Sequence, residues 1–434
     1  MQRRNAGSEQ SVRYGRIPRP AALTGERRFL RRLYGWAFLS RVLAGLSAYA
    51  VTFYVDVPII EDAHFYEEIG YEMARSWLSG RDVDFAALAP GADAARLLVT
   101  VIAVFYYVFD GVRALPALLI VYGAVTALVP LYVYRISQEL QLSDVAARRA
   151  GWLVALSPVF VFWSGSLYKE GIVLLILSVA TYHTLRLQSR WHAWSMISVA
   201  LCILGLWGVR YYLAVLLMLA VAVSLTWGRI APKQQPLRLP VLMRQSVIVA
   251  GFLLMIIMLG VYERTERVLV ESDRGLLIEL DVRRAGSARE AASGYLQDAR
   301  IATSEEALQY FPVGLFYFLT VPFPWQVGAL RQNLIIPENV FWLMLYPLVL
   351  VGITRTLRLN RPGAVFVLLM TAGTCAIYAL LSANIGTTYR MRSQVWLLWA
   401  PFAAAGWEAL RERHHRRRAV TIPQSRSAMT ARYR

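Results

Sequence analysis

The sequence predicts an all-α, polytopic transmembrane helical bundle of about ten spans (ten to twelve). Three observations carry that expectation. Of the 434 residues, 57% are hydrophobic and 17% charged, whereas soluble domains run at roughly 45–50% and about 25%. Mean hydropathy is +0.43, and the apolar residues fall in blocks that recur to the C-terminus, each near the length a bilayer core of about 30 Å requires. Basic residues cluster between alternate blocks, as they do when positive loops are retained on one side of a membrane. A water-soluble globule is excluded, and no segment remains for a separate soluble catalytic domain.

Residues 1–35 form a basic tail with nine arginines up to Arg32, expected inside the cell, and the first apolar block reads as a retained span because no small-residue cleavage site follows it. The expected spans are 36–55, 114–134, 150–164, 171–187, 193–209, 211–228, 246–262, 339–353, 362–381 and 395–410. Together they make a transmembrane domain over 36–410, followed by a second basic tail, 411–434. Two apolar pieces, 97–109 and 311–325, are short, and the second carries Pro322 and Pro324; both are expected to lie along the membrane. With neither crossing, the loops holding Arg135, Arg148 and Arg149, then Arg186 and Arg190, then Arg229 to Arg244, then Arg355 to Arg361 all fall inside. Lys and Arg exceed Asp and Glu, 46 to 28; much of the excess is in the tails, which suits anionic lipid better than nucleic acid. Cys202 and Cys375 both lie in apolar runs, where neither a disulfide nor a metal cluster is expected.

The outer face then holds a first loop, 56–113, and a large one, 263–338. In the first, Phe65, Ile69, Met73 and Trp77 recur at i+4 while Glu67, Glu68, Glu72 and Arg75 face elsewhere, the pattern of an amphipathic interfacial helix. Asp62 at its start fits either a helix cap or a general base held at the membrane surface. In the large loop, Ser287 and Glu290 suit a capped helix through 288–300; the loop reads as a lid or as a solvated connector. The piece at 311–325 reads as the wall of a lipid groove.

The order of one span, an outer acid, and then Asp62-Ala-His-Phe-Tyr66 leading to Ala74-Arg-Ser-Trp-Leu-Ser-Gly80 resembles the first outer loop of GT-C glycosyltransferases, multi-span enzymes that use polyprenyl-phosphate sugars. The resemblance implies Asp62 as the acceptor-activating base, with Glu61 as its understudy and Tyr66 beside it. Ser164-Gly-Ser-Leu-Tyr-Lys169-Glu170 is similar to the second outer loop of bacterial polysaccharide-associated members, and implies a second acid, Glu170, beside a phosphate contact, Lys169. From the residues alone, Lys169 and Glu170 fit a local pair at a helix start equally well.

Arg210, between Trp207 and Tyr211-Tyr212, marks a turn at the outer interface; it suits snorkelling to headgroups or paired hydrogen bonds to a lipid phosphate, with Tyr211 alongside. The last outer turn, Asn384-Ile-Gly-Thr-Thr-Tyr-Arg390-Met-Arg392, places two arginines against the general trend and reads as a phosphate site. It too resembles the bacterial polysaccharide proteins.

Asp82-Val-Asp84 matches the Asp-x-Asp of nucleotide-sugar enzymes but falls outside, away from nucleotide sugars. Neither a Walker loop nor a serine-hydrolase elbow occurs. Among metal sites, Asp62 with Glu170 is the one candidate, for a divalent Mg or Mn ion if the donor is a diphosphate; a monophosphate donor requires no cofactor.

The expected function is transfer of a sugar, hexose or pentose, from a polyprenyl-phosphate carrier to a glycan or glycolipid hydroxyl, with inversion, on the outer face of a bacterial inner membrane, in cell-envelope or exopolysaccharide assembly. Two alternatives stand beside it: a polysaccharide polymerase using diphosphate-linked oligosaccharides, and a non-enzymatic flippase or transporter of lipid-linked glycans.

Overall fold

The computed structural model describes residues 20–54, 60–89, 95–227, 251, 276–290, 293–325 and 330–421. The described residues are helical, without a strand; a single β-bridge joins Gly294 to Asn384. In chain order the helices are α1 (Pro20–Tyr54), α2 (Glu61–Leu78), α3 (Phe85–Leu88), α4 (Arg96–Val108), α5 (Leu115–Thr126), α6 (Val129–Glu139), α7 (Asp144–Leu156), α8 (Pro158–Gly165), α9 (Lys169–Ser189) and α10 (Ala193–Trp227). After residues that are not described come α11 (Leu276–Glu290), α12 (Ser304–Thr320), α13 (Leu330–Leu359), α14 (Arg361–Leu381) and α15 (Ile385–Thr421).

Local chemistry sets several boundaries. Ser143 caps α7 by accepting from the Ala146 amide, and Asn360 caps α14 by accepting from Gly363. Thr303 and Glu306 form a reciprocal capping box at the start of α12. Pro158 has no amide hydrogen to continue α7, so the chain bends by 54° between α7 and α8.

Six helices are long and apolar enough to cross a membrane, or seven if the bent α7–α8 pair counts as one span. This is the architecture of a multi-pass membrane protein, but the expected count of ten is not reached among the described residues. Apart from residue 251, the expected span 246–262 lies outside them. The expected span 395–410 is helical within α15 but is not among the six. Conversely, α10 is longer than one crossing requires. Ser195 near its start lies 3.1 Å from the His183 ring, Ser224 near its end accepts a hydrogen bond from Gln188, and both partners belong to the last turns of α9. Midway, Arg210 leaves helical geometry, with φ −152° and ψ 80°, and reaches Glu170 at the opposite end of α9. The helix therefore doubles back at Arg210, where the sequence predicts a turn.

The interhelical contacts sort into two ends. Arg135 pairs with Glu26, Ser143 with Glu408, Asn360 with the Glu139 carbonyl, Gln188 with the Pro362 carbonyl, and Arg355 with Glu412. The predicted basic loops that are described thus share one end of the bundle; that of Arg229 to Arg244 lies outside the described residues. The starts of α2, α9 and α15 and the break in α10 share the other.

Between the ends the packing is apolar and close. Trp342 of α13 and Trp396 of α15 are fully buried and stack at 4.8 Å. Small residues let backbones touch: a Cβ on Gly45 of α1 would stand 2.3 Å from the Gly165 carbonyl oxygen of α8, and one on Gly406 of α15 would stand 1.9 Å from the Leu348 carbonyl oxygen of α13.

Outside the bundle, α4 is too short to span a bilayer, as expected of 97–109, and pairs with α2. The buried face of α2 is wider than the apolar stripe. Ile69 of the stripe is buried and Met73 and Trp77 are half-buried, but the buried face extends to Ala63, Tyr66, Glu67, Gly70 and Ala74, while Phe65 is 48% exposed. The reason is close approach: Gly70 admits Ile102 of α4, and Glu67 is neutralised by Arg113 at 2.6 Å and accepts from the Tyr106 hydroxyl at 2.7 Å. The expected helix over 288–300 is also corrected. α11 ends at Glu290, and residues 293–300 are non-helical because Tyr295 donates to the Ala383 carbonyl and Ile385 to the Ser293 carbonyl. Residues 293–295 are thereby docked on the turn before α15. The helix that follows begins at Ser304, seven residues before the expected apolar piece.

Candidate functional site

Four helix starts or breaks converge at one end of the bundle. Asp62 lies in the first turn of α2, Lys169 and Glu170 open α9, Arg210 is the break in α10, and Arg390 lies in the first turns of α15. Arg390 Nη1 donates to Asp62 Oδ2 at 2.6 Å across 328 positions of sequence. Arg390 Nε is 3.4 Å from Glu170 Oε1, and Arg210 Nη2 donates to the same oxygen at 2.5 Å. Glu170 is thus held between two guanidinium groups.

Exposure grades along this chain of charges. The Asp62 side chain is 48% exposed, Arg390 15%, Arg210 8% and Glu170 0%. Asp62 is therefore the mouth and Glu170 the floor. Among the described side chains, three cations and two carboxylates leave the group one positive charge in excess. Buried ions of this kind are costly unless paired, and the unequal count leaves room for an anion.

Aromatic rings line the same place. The Arg390 guanidinium lies 5.7 Å from the Tyr168 ring and 5.9 Å from Trp163, and Lys169 Nζ lies 5.9 Å from the Tyr66 ring, within cation–π range. Burial first, and then the charges of Asp62 and Glu170, push the Tyr66 phenol well above its usual range, so it stays protonated. Several buried polar atoms have no hydrogen-bond partner among the described residues: Glu170 Oε2, Arg210 Nε, Trp163 Nε1 and Ser166 Oγ. Such orphaned atoms are rare in a finished interior and mark a place that solvent or a ligand completes.

The predicted residues divide accordingly. Asp62, Lys169, Glu170, Arg210, Arg390 and Tyr66 are brought together. Asp62 is not the helix cap: Ile60 precedes α2, no side chain caps it, and the Asp62 carboxylate is turned to Arg390. Of Glu61 the backbone opens α2, and its side chain lies outside the described residues. Tyr211 joins the aromatic row with Trp207 and Tyr212 at the break.

Arg392 is elsewhere. It is fully buried, and its three nitrogens donate to the Phe318 and Val321 carbonyls and to Asn339 Oδ1, each at 2.5 Å. It satisfies the free carbonyls at the C-terminus of α12 and does not face Asp62.

One oxygen of each carboxylate of the suggested divalent site is engaged by a guanidinium group, and no cluster of three or more His, Cys, Asp or Glu forms among the described residues. Arg390 lies between the two carboxylates, in contact with both.

Sequence reasoning missed the supports. Arg210 Nη1 donates to the Tyr212 hydroxyl at 2.6 Å, which lies 3.3 Å from that of Tyr378; Tyr378 donates to Gln394 at 3.1 Å. Glu338 accepts from Ser157, from the Val159 amide at the start of α8 and from the Tyr389 hydroxyl. It ties α8 and α13 to the residue beside Arg390. The Tyr211-Tyr212 pair after Arg210 was a visible signal; Glu338 had none.

No protein-family model matches the chain, and no curated protein is significantly similar to it.

Proposed function

We propose that the chain is a membrane-embedded glycosyltransferase of the GT-C kind. It moves a sugar from a polyprenyl-phosphate carrier to an acceptor hydroxyl at the outer surface of a bacterial inner membrane, in cell-envelope or exopolysaccharide assembly. One observation carries this reading: charges from four separate helix ends meet in one largely buried group. Hydropathy does not demand that meeting, and each ion at membrane depth opposes insertion by roughly 2–3 kcal/mol. Outside the cytoplasm an activated sugar arrives on lipid, and a lipid phosphate supplies the anion that three cations and two carboxylates lack.

In the proposed reaction Asp62 is the base. Its exposed carboxylate takes the proton of the acceptor hydroxyl as that oxygen attacks the anomeric carbon from the side opposite the phosphate. The bond from the anomeric carbon to the phosphate oxygen breaks, its electron pair remaining on the lipid phosphate, and the product is inverted. Arg390 and Lys169 meet the charge that builds on the departing phosphate, and the protonated Tyr66 phenol stands beside them as a neutral donor. Arg210 serves at one remove, fixing Glu170, which in turn orients Arg390. In this scheme the arginines do the electrostatic work a metal would otherwise do.

Undecaprenyl phosphate titrated into the purified protein in nanodiscs tests the phosphate site. Arg390→Gln and Lys169→Gln are each expected to weaken binding by about tenfold, the worth of one charge-assisted hydrogen bond, while Asp62→Asn, which removes a competitor for Arg390, leaves it unchanged or tighter. In a cell whose surface glycan depends on the protein, Asp62→Asn at normal abundance abolishes the glycan. A normal glycan from that variant, or lipid-phosphate binding indifferent to Arg390 and Lys169, refutes the proposal and favours the diphosphate polymerase or the flippase.

A further inference from the structure

A second charged recess lies at the opposite end of the bundle. A cleft of about 360 Å³ opens between the last turns of α13 and the C-terminal part of α15, lined by Arg355, Arg358, Arg413, Arg416 and Glu412. Two of its charges cancel: Arg355 grips Glu412 with both terminal nitrogens, at 3.0 and 2.9 Å, and also reaches Glu408 at 3.3 Å. Arg358, Arg413 and Arg416 make no ion pair among the described residues and are exposed. Three cations therefore surround a hollow whose remaining wall is mostly apolar, formed by Val351, Leu359 and Ala409 with Thr354, whose hydroxyl is turned to the Val351 carbonyl.

The depth of the cleft is set by its helices. α13 contains one of the candidate spans, 335–359, so Arg358 stands at that span's end. Along α15, Arg413 lies about 35 Å beyond Arg390 at 1.5 Å per residue, slightly more than the thickness of a hydrocarbon core. If Asp62 and Arg390 mark one membrane boundary, this cleft marks the other. An aqueous anion needs no apolar wall; a phosphate with acyl chains attached needs both the cations and the wall.

We infer that this cleft seats the phosphate of an anionic phospholipid headgroup, held by Arg358, Arg413 and Arg416, with the first acyl carbons against Val351 and Leu359. Arg355 and Glu412 set the spacing of α13 and α15 that keeps it open. The inference rests on the membrane reading alone and is independent of the sugar transfer proposed for the other end.

The test uses the full chain in phosphatidylcholine nanodiscs, with phosphatidylglycerol titrated in and bound lipid counted by native mass spectrometry. Wild-type protein is expected to retain phosphatidylglycerol over phosphatidylcholine. Each of Arg358→Gln, Arg413→Gln and Arg416→Gln lowers that preference by about fivefold, and the triple variant abolishes it. The same number of charges removed elsewhere at this end, as Arg148→Gln, Arg149→Gln and Arg190→Gln, leaves the preference within about twofold. Millimolar inorganic phosphate does not displace the lipid. An equal loss from the two sets of replacements, unaltered preference in the three single variants, or displacement by inorganic phosphate would each overturn the assignment. The three arginines are exposed, so unfolding in phosphatidylcholine alone is expected to match wild type; the single variants decide the matter should the triple variant fail to assemble.

Discussion

Replacing Glu170 by glutamine removes one charge and leaves two guanidinium groups facing each other. The Glu170 oxygen lies 2.5 Å from Arg210 and 3.4 Å from Arg390; at an effective dielectric of about 20 the gross attractions are roughly 7 and 5 kcal/mol. Most of this is offset by the cost of drying three ions. Truncating one partner of a buried pair nevertheless costs about 3–5 kcal/mol, because the remaining charge is stranded. Glutamine keeps one acceptor for Arg210 and Asp62 still holds Arg390, so the expected loss is at the lower end, about 3 kcal/mol. With Glu170 fully buried and Arg210 at 8% exposure, solvent screening offers little relief. The assay is equilibrium unfolding in bicelles of wild type, Glu170→Gln, Arg210→Gln and the double variant. The double variant is expected to lose at least about 1 kcal/mol less than the sum of the two single losses, since removing both partners strands neither. A Glu170→Gln protein within about 0.5 kcal/mol of wild type, or a strictly additive cycle, would refute the view that this carboxylate is the clamp between the two arginines.

Arg392→Gln is expected to lower stability by about 3 kcal/mol in the same assay, because the Phe318 and Val321 carbonyls lose a charged donor while buried; undecaprenyl phosphate affinity of the fraction that folds should not change. Gly165→Ala places a Cβ 2.4 Å from the Arg41 carbonyl oxygen and should push α8 from α1, costing about 1–3 kcal/mol, seen as a lower midpoint of unfolding. Arg210→Lys keeps the charge but loses the forked donor that serves Glu170 and Tyr212 together; at least a third of the loss seen in Arg210→Gln should persist, and full recovery would mean the fork is unimportant.

Much of the arrangement was legible because hydropathy and charge report on depth and side. The turn at Arg210 and the sharing of one end by the described basic loops followed from that, as did the short α4. The acids and cations at 62, 169, 170, 210 and 390 stood out because ionised groups beside apolar blocks are expensive. Arg392 shows where this logic fails. Successive helical residues are about 100° apart, so two arginines at i and i+2 cannot share a face; once the last outer turn is helical, Arg390 and Arg392 must part. α2 was legible only in part: Ile69 of its apolar stripe is buried, but Gly70 lets α4 come close beside it, and a charged residue, Glu67, is inside with its partner Arg113. Glu338 and Gln394 were silent because their neighbours come from other helices, and no local pattern encodes such meetings.

The 2.6 Å contact between Asp62 and Arg390 also bears on kinetics. While the arginine holds the carboxylate, the base is masked; a donor phosphate that recruits the arginine unmasks it. The proposed reaction is therefore sequential, with lipid-borne sugar entering first and acceptor second, and acceptor analogues should inhibit competitively against acceptor but uncompetitively against donor.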